Sequence, residues 1–191
     1  LEVIPKAFTL AASGRPGPVL VDIPKDVQNE RIEIGADEWP KPGQRQAAPV
    51  ANEDLIDEAA AMINAAQRPI FYLGGGVVHS EGALLAVELA EKAGLPTVMT
   101  LMALGAMPVD HDLSLGMLGM HGARCTNMAL EECDLLIAVG ARFDDRAAGK
   151  VSTFCPNAKV VHVDIDRAEL DQQAPLVGRT VLEKDFVKDS A

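Results

Sequence analysis

Apolar residues recur at helical spacing in four stretches of the chain and form short continuous runs in five others. The helical spacing predicts helices over residues 3–11, 53–66, 81–93 and 123–132, with Asn52 and Ser80 as candidate N-caps and Gly94 as a C-terminal stop. The apolar runs predict strands over residues 18–23, 69–73, 96–101, 135–139 and 160–165.

Strands and helices alternate from residue 69 onward, which indicates right-handed crossovers and a mainly parallel sheet. Strands that are apolar throughout are typical of a sheet covered on both faces. The predicted fold is therefore α/β, a three-layer Rossmann-like sheet with helices on both faces. Residues 27–50 carry Pro40, Pro42 and Gly43 in a weak pattern and are interpreted as a linker. Residues 105–122 are interpreted as a Gly- and Met-rich loop.

The charge balance narrows the possible partners. The chain has 191 residues, with 17 basic and 28 acidic side chains, so the net charge is −11. Nucleic-acid binding and attraction to anionic membranes both need clustered Lys and Arg, so neither is expected. The three cysteines form no CxxC pair, and neither a zinc site nor a disulfide framework is expected. No apolar stretch is long enough to span a bilayer, and a cytoplasmic location is the default expectation.

Candidate chemistry follows the predicted strands, because ligands of open parallel sheets bind beyond the carboxyl ends of the strands. Glycines or acidic residues stand near the ends of the four strands predicted from residue 69 onward, within 74–76, 101–105, 140–144 and 164–166. Glycines permit close approach of a bulky ligand, and an acidic residue can accept hydrogen bonds from ribose hydroxyls. Together these features predict a nucleotide-shaped crevice.

Several alternatives stay open at this point. The run from Gly74 to His79 lacks the third glycine of a dinucleotide fingerprint, which disfavours ordinary NAD binding. His121 is either a ligand contact or a plain loop residue. Asp144 and Asp145 could form an acid/base pair, but a helix cap or an ion pair with an arginine is favoured. No phosphate-binding P-loop and no nucleophile elbow is present in the sequence.

Two motifs carry a resemblance to one family. The sequence GMLGMHG at residues 116–122 is followed by GARFDDR at 140–146, with further matches at 13–19, 22–28, 73–76 and 162–166. In this combination the chain resembles the large subunit of acetohydroxyacid synthase (acetolactate synthase) over about residues 1–168. Leu1 begins inside an apolar helical pattern without an initiator Met, which suggests a piece of a longer protein.

The resemblance implies a domain division. Residues 1–26 would end a pyrimidine-binding domain, 27–50 would be a linker, 51–179 the central FAD-binding domain, and 180–191 a disordered or non-native tail. Arg179 stands where the family usually has Asp.

Residue roles follow from the resemblance, position by position. It implies no catalytic residue and no metal ligand in this chain. The implied FAD contacts are Arg15, Gly75, Gly76, Thr100, Leu101, Leu118, Gly119, Met120, His121, Gly140, Ala141, Arg142, Phe143, Asp144, Asp164 and Ile165. The implied substrate-channel residues are Lys25, Met120, Asp145 and Arg146.

The implied activity belongs to a larger enzyme. The family condenses two pyruvates, or pyruvate and 2-ketobutyrate, in branched-chain amino-acid biosynthesis. It uses thiamine diphosphate and Mg²⁺ bound by a first and a third domain, forms homo-oligomers and pairs with a regulatory small subunit. The chain alone is therefore expected to be inactive. The alternatives are the central domain of a pyruvate oxidase or another carboligase, or a non-catalytic nucleotide-binding module.

Overall fold

The computed structural model describes residues 2–35, 39–44, 46–47, 50–150, 153–172 and 179–181. It divides into two compact units, Leu1–Val50 and Ala51–Ala191. The predicted tail at 180–191 lies outside the described residues beyond Val181.

The second unit is built on one parallel sheet. Its described part contains six strands, β1 (Pro69–Leu73), β2 (Thr97–Met99), β3 (Ser114–Met117), β4 (Leu135–Val139), β5 (Lys159–Val163) and β6 (Arg179–Val181). Their order across the sheet is β3-β2-β1-β4-β5-β6, and every neighbouring pair is parallel. The predicted α/β class is confirmed.

Both units contain helices, and in the second unit helices separate most of the strands along the chain. In the first unit they are α1 (Val3–Ala12) and α2 (Lys25–Asn29). In the second unit they are α3 (Glu53–Ala65), α4 (Gly75–His79), α5 (Ala83–Ala93), α6 (Arg124–Glu132), α7 (Asp145–Ala148) and α8 (Arg167–Gln172), with a short 3-10 helix at Leu101–Ala103.

The sheet separates two hydrophobic cores, because successive side chains of a strand point to opposite faces. Phe71 and Leu73 of β1 pack in one core, which also receives residues of α3, α4 and α5. Ile70 and Tyr72 pack in the other, which receives residues of α6 and α7. The arrangement has three layers, and it explains why strands such as β4 are apolar at every position.

Helix ends follow local chemistry, with one difference from the prediction. The Asn52 side chain accepts the amide of Asp54 at 2.9 Å and caps α3, and Gly94 ends α5 with φ 62°. The expected cap at Ser80 is wrong, because that residue ends α4 and donates its hydroxyl to the Val77 carbonyl. Glu81 then turns the chain with φ 59°, and α5 begins two residues later than predicted, at Ala83.

Strand β3 was not predicted, since it lies within the stretch interpreted as loop. Gly116 has φ 73°, and the pairing with β2 shifts register between Thr97 and Met99. A strand with a bulge and a glycine in the left-handed region lacks the alternating pattern that identifies strands in a sequence. The Thr126 hydroxyl of α6 donates to the Leu115 carbonyl at 2.5 Å and ties β3 to its covering helix.

The first unit differs from the second in having no buried residue among those described. The strand predicted at 18–23 is wrong, as no described strand pairs with it and Leu20 is 91% exposed. A strand needs a neighbour to satisfy its backbone groups. The interpreted linker also contains most of α2.

Among the described residues, no helix has the length and apolar character needed to cross a membrane.

Asp134 fixes the turn between α3 and β1. Its carboxylate accepts the amides of Gln67 at 2.7 Å and Arg68 at 2.9 Å. Desolvation would raise the pKa of Asp134, but these backbone N–H groups outweigh it and hold the pKa below its usual value. The carboxylate form therefore stabilises the fold.

We predict that Asp134→Asn lowers the free energy of unfolding by about 1 kcal/mol at pH 7, since two charge-assisted hydrogen bonds weaken in a partly solvated setting. A depressed folded-state pKa stabilises the protein above the unfolded pKa, and this contribution is lost as the pH falls through the folded value. Urea unfolding of both proteins from pH 7 to pH 2.5 should show the difference shrinking with acid. A difference independent of pH would contradict the assignment.

Candidate functional site

The strand order creates a crevice at the carboxyl edge of the sheet. From β1 the chain proceeds outward to β2 and β3 on one side, and it returns to β4 on the other side of β1. At such a reversal the loops after the two central strands diverge, and ligands of open α/β sheets bind between them. The loops after β1 and β4 therefore define the centre of the candidate site.

These two central loops touch through their backbones. The Gly76 amide donates to the Gly140 carbonyl at 3.0 Å, and the Gly74 amide donates to the Val139 carbonyl at 2.9 Å. A Cβ on Gly74 would collide with the Gly140 carbonyl oxygen, and one on Gly76 would lie 2.7 Å from the Gly140 Cα. Glycine is therefore required here for contact between two loops of the chain itself, and only secondarily for approach of a ligand. The sequence alone does not indicate this requirement.

The loop after β2 exposes apolar side chains. Leu101 is 70% exposed and Met102 is 67% exposed on the 3-10 helix. The Thr100 hydroxyl beside them is buried and has no hydrogen-bond partner among the described residues. A buried hydroxyl without a partner is unfavourable, and a ligand atom at this strand end could satisfy it.

The loop after β3 is held rigidly and exposes two predicted contacts. Leu118 is buried, and Asn127 of α6 accepts the Gly119 amide at 2.9 Å and donates to the Gly119 carbonyl at 3.0 Å. Met120 is 72% exposed, and His121 is also exposed. Asn127 was not identified from the sequence, because a side-chain clamp eight residues away leaves no periodic signal.

The two sequence motifs meet at one backbone hydrogen bond. The Met120 amide donates to the Arg146 carbonyl at 3.0 Å. A Cβ on Gly119 would collide with that carbonyl oxygen, so glycine is needed for the approach. The motif after β3 and the motif after β4 therefore form one continuous surface.

The acidic pair after β4 has a structural role. Asp144 caps α7 by accepting the Ala147 amide at 3.0 Å, and its other oxygen lies 3.7 Å from the Arg142 guanidinium. The favoured interpretation of Asp144 as a cap and ion-pair partner is confirmed. Asp145 and Arg146 are exposed on α7.

Two predicted contacts in this loop point their side chains inward. Ala141 is 1% exposed and Phe143 is 3% exposed. The Phe143 ring packs edge-to-face on Tyr72 and Phe154, with centroids 5.5 Å and 6.0 Å away. Only their backbone atoms can therefore reach a ligand. Phe143 has φ 52°, a conformation that most side chains avoid and that occurs where surrounding contacts enforce it.

Strand β5 ends in a shielded carboxylate. Asp164 accepts the Asp166 amide at 2.8 Å, and 9% of its side chain is exposed. Desolvation raises the pKa of Asp164 above its usual value. Ile165 beside it is 43% exposed. A carboxylate at a strand end with one backbone partner suits a ribose hydroxyl.

The site's chemistry suits a flat, partly apolar nucleotide ligand. It combines exposed Leu and Met side chains after β2 and β3, a buried unsatisfied hydroxyl after β2 and a carboxylate after β5, all at the carboxyl edge of the sheet. No cluster of three or more potential metal ligands exists among the described residues. The predicted contacts Arg15 and Lys25 lie in the first unit, and their roles stay predictions, as do the ligand contacts of all the others.

The chain is similar to one protein family and to several known proteins. The family model described as thiamine pyrophosphate enzyme, central domain, matches residues 56–181. The chain is 62% identical over 169 residues to the acetolactate synthase isozyme 1 large subunit of Escherichia coli (strain K12), which covers 88% of the chain and 29% of that protein.

More distant relatives show the same pattern. The acetolactate synthase large subunit of Corynebacterium glutamicum is 46% identical over 186 residues, covering 93% of the chain and 29% of that protein. The probable acetolactate synthase large subunit of Methanocaldococcus jannaschii is 42% identical over 186 residues, covering 93% and 31%. The chain thus spans less than a third of the length of the curated relatives it matches.

We predict that Gly140→Ala destabilises the fold more than Gly94→Ala. The two glycines have φ 61° and 62°, so the conformational penalty is similar, but only Gly140 would place its Cβ against backbone, 2.7 Å from the Gly76 Cα. The excess should be about 1–3 kcal/mol, as for overpacked sites. Chemical denaturation of both variants measures it, and equal losses would refute a tight crossing of the two loops.

Proposed function

This chain belongs to the family of thiamine pyrophosphate enzyme central domains, and from this premise we propose that it is the FAD-binding domain of an acetolactate synthase large subunit. The observation that carries the proposal is the contact between the motifs at 116–122 and 140–146 through the Met120 amide and the Arg146 carbonyl. This contact lies at the carboxyl edge of the sheet, where a parallel α/β fold binds its ligand.

The residues at this edge fit the parts of FAD. Exposed Leu101, Met102 and Met120 offer an apolar surface for a flat ring system. Asp164 offers a carboxylate for ribose hydroxyls, and Thr100 offers a buried hydroxyl. Backbone amides and the exposed Arg142, which also pairs with Asp144, would contact the pyrophosphate, so a chain of net charge −11 needs no surplus of Lys.

The remaining predicted contacts complete the proposal. Arg15 would add a cation to the flavin site, and Lys25, Met120, Asp145 and Arg146 would line the channel to the reacting carbon. Thiamine diphosphate and Mg²⁺ would be held by other parts of the enzyme. Bound there, thiamine diphosphate would supply the chemistry for decarboxylating pyruvate and joining the remaining two-carbon unit to a second 2-keto acid.

The partners of the whole enzyme are also proposed. The relatives are named large subunits, which supports a regulatory small subunit as partner. A homo-oligomer, a cytoplasmic location and a role in branched-chain amino-acid biosynthesis complete this proposal.

We predict that the purified chain binds FAD saturably, with quenched flavin fluorescence, and that Asp164→Asn weakens the affinity about 10-fold or more, as expected for a hydrogen bond to a charged group. Asp134→Asn is the matched control, because that carboxylate lies before β4 at the opposite edge of the sheet. It should lower stability and leave the affinity unchanged. Equal affinity losses in both variants, or no binding by any of the three proteins, would count against FAD in this crevice.

We predict no acetolactate from the isolated 191-residue chain supplied with pyruvate, thiamine diphosphate and Mg²⁺. The proposed catalytic parts belong to segments of the relatives that this chain does not span. A colorimetric acetoin assay after acid decarboxylation, compared with a boiled sample, measures the product. Turnover above the boiled sample would show that the chain itself contains a catalytic centre.

A further inference from the structure

His162 is a polar residue in the interior of the sheet. It lies on β5 between Val161 and Val163, pairs in register with Ala138 of β4, and is 3% exposed. An imidazole in this position must place its N–H group on a protein acceptor, because water cannot reach it. In the sequence, His162 stands out only as the first residue of the matching stretch at 162–166.

The acceptor is in the loop after β4. The His162 Nε2 lies 2.9 Å from the Ala141 carbonyl oxygen. A carbonyl can only accept, so Nε2 carries the hydrogen in this contact. The Asp164 carboxylate, at 4.0 Å from the same nitrogen, is farther than a hydrogen bond.

A second contact holds the same loop. The His162 ring packs edge-to-face on Phe143, with centroids 5.0 Å apart and planes at 85°. One imidazole thus holds Ala141 by its carbonyl and Phe143 by its ring. The residue between them, Arg142, is left with 54% of its side chain exposed.

These contacts explain how the loop keeps an unfavourable backbone. Phe143 has φ 52°, which persists only when the surroundings enforce it. The backbone of this loop also meets Gly76 through the Gly140 carbonyl. Its helix, α7, accepts the Met120 amide through Arg146. Loss of the imidazole would therefore loosen the loops after β1, β3 and β4 together.

We infer that His162 is a positioning residue, which presents the loop at 140–144 to the ligand crevice through Ala141 and Phe143. The geometry of the loop follows from the contacts of His162 with Ala141 and Phe143, whereas the identity of the ligand rests on the proposed function. His162 touches no ligand in this role, and it acts through the loop alone.

The experiment compares His162→Phe, His162→Gln and Val161→Ala in the full chain. His162→Phe keeps an aromatic ring and removes the donor, and His162→Gln restores an N–H at a similar reach. Val161→Ala is the matched control, because it is the neighbouring buried residue of β5 on the opposite face of the sheet. Amide hydrogen exchange at Met120 and Gly76 reports the tightness of the loops.

We expect His162→Phe to accelerate exchange at these two amides about 10-fold relative to Val161→Ala, after correction for global stability. His162→Gln should recover most of the protection, which a merely space-filling side chain would not do. Equal exchange in His162→Phe and Val161→Ala would overturn the inference. If His162→Phe does not fold, His162→Leu also removes the N–H donor to the Ala141 carbonyl and should show the same acceleration, and normal exchange there would overturn the inference.

A parallel FAD titration separates this inference from the proposed function. If the wild-type chain binds FAD, we expect His162→Phe to lose about 10-fold in affinity, and Val161→Ala and His162→Gln to stay close to wild type. Affinity unchanged in His162→Phe would overturn the positioning role. If the wild-type chain binds no FAD, the proposed function fails, while the exchange result still decides whether His162 positions the loop.

Discussion

The crossing of two backbones at the reversal of the strand order constrains the rest of the second unit. The loops after β1 and β4 can approach only if no side chain stands between them, and Gly74, Gly76 and Gly140 meet this demand. The crossing fixes where β4 leaves the sheet, and Asp144 then caps α7. It also determines which edge of the sheet carries the crevice, since both loops follow carboxyl ends of parallel strands. A Cβ at Gly74 would collide with the Gly140 oxygen and separate the loops of the two central strands.

Around this crossing a few hydrogen bonds attach the loops after β3 and β4, in addition to the core packing of Leu118 and Phe143. Asn127 holds the loop after β3 on one side, and the carbonyl of Arg146 holds it on the other. His162 on β5 holds the loop after β4 by donating a hydrogen bond to the Ala141 carbonyl. Backbone groups near a ligand site must be satisfied without filling the site, and the half-buried amide of Asn127 and the buried imidazole of His162 meet both conditions. The crevice walls are therefore fixed by a few polar groups at or below the surface of the crevice.

The sequence was sufficient for elements with regular apolar patterns and insufficient where contacts were not local. Strands β1 and β4 have the predicted bounds because an uninterrupted apolar run of five residues between a turn and a glycine is typical of a buried strand. The bulged strand β3 could not be predicted from the sequence, because a glycine with φ 73° interrupts the apolar pattern. The resemblance to acetolactate synthases is confirmed by the 62% identity to one of them. It could be recognised from the sequence because two motifs in a fixed order are highly specific. Asn127 and His162 could not be found this way, because the partners of a clamp are brought together by the fold.

The motif at 140–146 is highly specific because its buried and its exposed residues meet different requirements. Ala141 and Phe143 turn inward and are fixed by packing, whereas Arg142, Asp144 and Arg146 remain exposed. Inward residues must match a cavity of given shape, and exposed ones must match a ligand or a neighbouring surface. Each position is thus restricted by a different requirement, and few other sequences satisfy all of them in one turn of chain. The same alternation holds after β3, where Leu118 is buried and Met120 is exposed. A motif built in this way identifies its family and also places its side chains, because the buried half determines the direction of the exposed half.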